Sequence, residues 1–141
     1  MIPAMQSVTV TREIDRDPDE VRAAMADVGA FMRAAKFDEV TVDGDTVTIA
    51  NSVGLATIEL VLDLFEEADT VLAYEQRDGI FEEMVTRYYL EKTADGVEVS
   101  ATTDFALQAR LIGPLLDATV IKHQRRVELN NQFDWLESGT E

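Results

Sequence analysis

The chain contains no cysteine, which excludes disulfides and thiolate metal sites. That lack fits a reducing compartment. Histidine occurs once, at His123, so no imidazole pair can anchor a zinc ion. No carboxylate spacing of a calcium loop is legible either. No apolar run reaches membrane-spanning length, because Glu59 and Asp63 interrupt the richest stretch, Leu55 to Phe65. Residues 1–5 lack the basic start and continuous apolar stretch of a signal peptide, so a cytoplasmic location is expected. A nucleophile elbow, a phosphate-cradling glycine loop and a dinucleotide fingerprint are all missing. No metal and no cofactor are therefore expected.

Lysine is also scarce. Three lysines (Lys36, Lys92, Lys122) and nine arginines face 28 acidic residues, for a net charge of −16. No basic stripe exists, so nucleic acid is not an expected partner. The acids are spread along the whole chain, as in an even coat and unlike an interaction tail. Such a coat repels itself in dilute buffer. At roughly 1 M salt the Debye length falls to about 3 Å and the repulsion fades. Together with the scarcity of lysine, this resembles proteins from organisms that keep molar salt in their cytoplasm.

What is present is a legible order of segments. The length of 141 residues and the hydrophobic fraction of 46% suit one domain over 1–141 with its own core. Ser7 to Ile14 alternates as a half-buried strand. Asp17, Pro18, Asp19 and Glu20 then announce a helix, with a capping carboxylate, a first-turn proline and acids at the positive end of the dipole. Val21, Ala24, Met25 and Val28 make its apolar stripe, Gly29 is expected to end it, and Ala30 to Lys36 reads as a second short helix. A run of strands follows. Hairpin turns are expected at Asp43-Gly44-Asp45, Asp78-Gly79 and Ala94-Asp95-Gly96. These imply an antiparallel meander. Gln108 to Glu137 is the closing helix, with regular structure expected from about Gly113, because Pro114 fits only a first turn. On a helical wheel Leu115, Ala118, Leu129, Phe133 and Leu136 form one stripe. Ile112, Leu116, Val120, His123 and Val127 form a neighbouring one.

This order, with Val8 to Ile14 running into Asp17-Pro18-Asp19-Glu20-Val21 and Phe105 followed by Gly113-Pro114-Leu115-Leu116, resembles the START-like helix-grip superfamily. That superfamily includes lipid-transfer domains, plant pathogenesis-related allergens, aromatase/cyclases and polyketide cyclase/dehydrase-like proteins. The resemblance covers essentially the whole chain and rests on architecture, not on a catalytic motif. It implies an α+β fold in which an antiparallel sheet wraps around a long C-terminal helix, with two short helices after the first strand. A hydrophobic cavity is implied between sheet and helix, suited to lipids, sterols, quinones or polyketide-like aromatics. Because few members share catalytic residues, none is carried over.

The expected cavity wall comprises Ile58, Leu60, Leu62, Leu72, Tyr74, Met84, Tyr88, Val99, Ala101, Thr103 and Phe105 from the sheet. Leu116, Val120, His123 and Val127 are expected from the helix. Apolar walls with a few hydroxyls match a small-molecule pocket, although the same alternation is required for a core alone. His123, with Tyr88 and Tyr74, forms the candidate acid/base set, since imidazole titrates near neutrality. The plainer reading of these three is packing with a satisfied polar tip. Arg125 and Arg126, an adjacent basic pair, are most simply explained by ion pairs within the chain.

The leading expectation is a binding or transport protein for a hydrophobic small molecule, more a ligand-binding protein than an enzyme. One alternative is a cyclase/dehydratase-type enzyme using His123 and a cavity tyrosine. Another is a protein-interaction module that grips a client at the cavity mouth. No integral membrane association is expected, and the pattern specifies no oligomeric state. For the acidic coat, unfolding followed while KCl is lowered from molar to millimolar should show falling stability. A midpoint unchanged over that range would contradict adaptation to salt.

Overall fold

The computed structural model describes residues 5–53, 55–108 and 117–138. Strand β1 (Gln6–Ile14) is followed by helices α1 (Pro18–Ala26) and α2 (Val28–Arg33). Strands β2 (Glu39–Asp43), β3 (Thr46–Val53), β4 (Ala56–Leu64), β5 (Leu72–Asp78), β6 (Phe81–Lys92) and β7 (Val97–Leu107) come next. Helix α3 (Ala118–Ser138) closes the order. The strands form one antiparallel sheet, ordered β1-β7-β6-β5-β4-β3-β2. Hairpin connections produce the run from β2 to β7, and β1 returns to pair with the last strand. This is the expected α+β arrangement.

Local chemistry explains the elements. In β7, Val97, Val99, Ala101, Thr103 and Phe105 are buried while the residues between them are half-buried, as a two-residue period requires. Asp43 pairs with Thr46, so Gly44 and Asp45 form the turn, and Gly44 takes the φ of 61° that a left-handed turn position needs. The register slips at Val61/Leu62 and at Phe81/Glu83, and such irregularities bend a sheet.

The Asp17 carboxylate accepts from the Asp19 N–H at 2.7 Å and starts α1. The expected end of this helix at Gly29 is corrected. The chain breaks at Asp27, whose carboxylate accepts from the Ala30 N–H at 3.3 Å, and Gly29 lies inside α2. Asp27 wins because one carboxylate can cap a new helix there, whereas glycine only permits a break.

Helix α3 is capped by Asp117, which accepts from the Val120 N–H at 2.9 Å. The expected start near Gly113, with Pro114, Leu115 and Leu116, lies outside the described residues. Its buried face is Ile121, Arg125, Glu128, Leu129, Gln132, Phe133 and Leu136, a regular helical stripe. From this face and its edges α3 bonds to β1, β3, β5, β6 and β7, so the sheet grips the helix across most of its width. At the C-terminal end Arg12 of β1 donates to Asn130, Asp134 and Glu137, and Arg16 donates to the Leu136 carbonyl at 2.7 Å.

Gly96, in the turn before β7, sits against the end of β1. A Cβ there would run into the Ile14 carbonyl oxygen, which is backbone and cannot swing away. Gly96→Ala should therefore destabilise the fold by about 1–3 kcal/mol, as overpacking does. Chemical denaturation checks this, and a change within about 0.5 kcal/mol, typical of neutral surface sites, would contradict it.

Candidate ligand-binding site

Between the concave side of the sheet and α3 lies a partly open cavity, in which the centre of a water-sized molecule can range over about 60 Å³. Its apolar wall is built by Phe37, Ile49, Ile58, Leu60, Leu62, Phe81, Met84, Phe105 and Ile121. Its polar side carries Asn51, Tyr74, Thr103, Gln124, Arg125 and Glu128. Strand alternation presents the β3, β4, β6 and β7 residues, and helical spacing presents Ile121, Arg125 and Glu128 together.

The polar side is a continuous network centred on a buried ion pair. Arg125 Nη1 donates to Glu128 Oε1 at 3.0 Å, and Nε donates to Thr103 Oγ1 at 2.8 Å. Its Nη2 donates to the Tyr74 hydroxyl at 2.6 Å and to Thr86 Oγ1 at 3.2 Å. Glu128 Oε2 accepts from Asn51 Nδ2 at 3.2 Å and from Gln124 Nε2 at 3.3 Å. Burial works against the Arg125 charge. The tyrosine oxygens and the Glu128 carboxylate outweigh that effect and hold the guanidinium pKa above its ordinary value. Arginine therefore keeps its proton here at any working pH.

A second chain of bonds runs deeper. The Tyr88 hydroxyl donates to Gln132 Oε1 at 2.7 Å and lies 3.3 Å from the Tyr74 hydroxyl. Gln132 Nε2 in turn donates to the Phe31 carbonyl at 3.1 Å, tying α3 to α2. Burial first, then the neighbouring Tyr74, pushes the Tyr88 pKa well above its ordinary value of 10.0. Tyr88 is thus a neutral donor. Among the described residues, no buried side-chain nitrogen or oxygen lacks a partner.

The structure places the sequence candidates unequally. Ile58, Leu60, Leu62, Tyr74, Met84, Thr103 and Phe105 face the cavity. Tyr88, Val99 and Ala101 are buried away from its wall, and Leu72 is half-buried off it. Leu116 lies outside the described residues. Val120 is half-buried against the core, not on the cavity wall.

His123 and Val127 are corrected. Both are exposed, Val127 at 40%, so neither lines the cavity. The cause is the phase of the helix. A wheel ranked by apolarity turns His123 and Val127 inward, whereas the true inner face is completed by the polar residues Arg125, Glu128 and Gln132. His123 is thus not among the residues that line the cavity, whereas Tyr74 is. A usable signal was present: Arg125, Glu128 and Gln132 continue the stripe of Ile121, Leu129 and Phe133 at helical spacing. On the outer face of the sheet, Arg87 is held by Glu67 at 2.6 Å.

Among the described residues, no group of three His, Cys, Asp or Glu side chains converges as a metal site would require. None of the described helices is long and apolar enough to cross a membrane.

A family model described as "Polyketide cyclase / dehydrase and lipid transport" matches residues 5–131. The chain belongs to that family. The polyketide cyclase/dehydrase and lipid-transport assignment agrees with the folds of solved structures. The aromatase/cyclase Zhui from a Streptomyces species superposes with a TM-score of 0.73 at 17% identity, covering 98% of this chain and 97% of that one. A Thermus thermophilus protein gives 0.75 at 14% identity, covering 96% and 100%. A START superfamily protein from Mycobacterium smegmatis gives 0.60 at 14% identity, covering 95% and 94%. At these identities the likeness concerns the helix-grip fold alone. Comparison with curated proteins returned no sequence match.

Proposed function

We propose that this member of the polyketide cyclase/dehydrase and lipid-transport family binds or carries a hydrophobic small molecule, such as a lipid, quinone or polyketide-like compound. The observation that carries this reading is the cavity itself. One wall is apolar, and the other presents a few fixed polar groups from α3 and the strands opposite. Burial of apolar ligand surface supplies the affinity, and the polar side supplies orientation.

A cyclase/dehydratase reading is favoured by one observation, the Tyr74 hydroxyl held on the cavity wall by Arg125. With His123 turned outward, proton transfer on that reading would fall to Tyr74 and Glu128. The Streptomyces neighbour named as an aromatase/cyclase shows that the fold can house such an enzyme. The binding reading requires less, since it needs the cavity alone.

Titration with a neutral naphthylamine dye tests the proposal. The wild-type chain should take it up saturably, and Leu60→Trp, which fills the cavity, should weaken binding about tenfold, equivalent to about 1.4 kcal/mol. Uptake that does not saturate, or that a folded Leu60→Trp variant leaves undiminished, would contradict a ligand in this cavity.

A further inference from the structure

The polar side of the cavity holds one cation and one anion in direct contact. Arg125 and Glu128 are 9% and 8% exposed, and their charged atoms lie 3.0 Å apart. Four of the five guanidinium N–H groups donate within the protein, to Thr103, Tyr74, Thr86 and Glu128, and the fifth is on Nη1, beside the Glu128 carboxylate. Both Glu128 oxygens are likewise occupied. The pair is thus internally neutralised, and an incoming charge would meet no unpaired counter-ion.

Two neutral amides complete this side. Asn51 and Gln124 each line the cavity and each donate an N–H to Glu128 Oε2. Each therefore retains a second N–H and a carbonyl oxygen, which can donate to and accept from a ligand hydroxyl. A carboxylate brought here would lose its hydration and lie beside Glu128, with the Arg125 charge already balanced. An ammonium would lose its hydration and face Arg125. A hydroxyl or carbonyl suffers neither penalty.

We propose that the cavity selects amphiphiles whose polar end is uncharged and bears a hydroxyl or carbonyl oxygen, and that Glu128 is the residue that sets this selectivity. Cancelling the Arg125 charge is its role: without Glu128, the same wall would be a carboxylate site. The inference rests on the cavity being the ligand site.

The test is displacement of the neutral naphthylamine dye by three straight-chain amphiphiles of equal carbon count: an alcohol, a carboxylate and an alkylammonium. It is run at neutral pH in molar KCl, where the acidic coat is screened. The alcohol should displace the dye at roughly tenfold lower concentration than either ion, about 1.4 kcal/mol of discrimination. In Glu128→Gln, which keeps the shape and removes the negative charge, the carboxylate should gain on the alcohol by about tenfold or more.

A carboxylate or alkylammonium as effective as the alcohol on the wild-type chain would overturn the proposal. So would an unchanged order of preference in a folded Glu128→Gln variant, or a bound dye that the alcohol fails to displace. If that variant does not fold, the wild-type ranking decides alone. Failure of the dye to bind at all would instead remove the cavity reading, and this inference with it.

Discussion

A guanidinium placed beneath a sheet must be surrounded by acceptors, because an unpaired buried charge destabilises a fold by several kcal/mol. Arg125 meets that requirement with partners from three strands and its own helix. The distances of 2.6–3.2 Å leave little freedom for the helix to rotate or slide. The position of α3 against the sheet, and hence the shape of the space between them, follows from that one side chain finding Tyr74, Thr86, Thr103 and Glu128 together. The hydroxyl-bearing residues occupy inward positions of β5, β6 and β7 where apolar side chains would otherwise stand. The polar side of the cavity is therefore part of what holds the fold in one arrangement.

Two further ties secure the helix along its length. Gln132 bridges the Tyr88 hydroxyl and the α2 backbone, while Phe31 meets Tyr88 edge-on with ring centroids 5.2 Å apart. Beyond it, Arg12 clamps the exposed acids of the last turns and lies over the Phe133 ring. Apolar packing by Leu129, Phe133 and Leu136, all fully buried, closes this end. The molecule thus divides along α3. The C-terminal half is tightly packed, and the N-terminal half borders the cavity. Such a division lets one fold combine a firm core with empty space.

Much of this was readable from the residues. Alternation in β1 and β7, the glycine turns at Gly44, Gly79 and Gly96, and the Asp17-Pro18 helix start each depend on local geometry that a sequence displays directly. Seven of the expected sheet residues face the cavity for the same reason, since strand alternation assigns a side without knowing the partner. The phase of α3 was less legible. Its inner face uses Arg125, Glu128 and Gln132, residues that belong outside by hydrophobicity and inside only because the opposing strands offer them partners. Those partners lie 22 to 51 residues away for Arg125, and no local pattern announces them. The placement of His123 failed for that reason: it lies exposed on the far side of the helix from that face, and polar Arg125, Glu128 and Gln132 hold the buried positions.

The central claim is that Arg125 and Glu128 act as one compensated unit that sets the helix against the sheet. A double-mutant cycle with Arg125→Met and Glu128→Leu, read by chemical denaturation, addresses it most directly. Each single change should destabilise by roughly 3–5 kcal/mol, because it strands the partner's charge, and the double variant should recover much of that loss. Two single effects that simply add in the double variant would contradict the account.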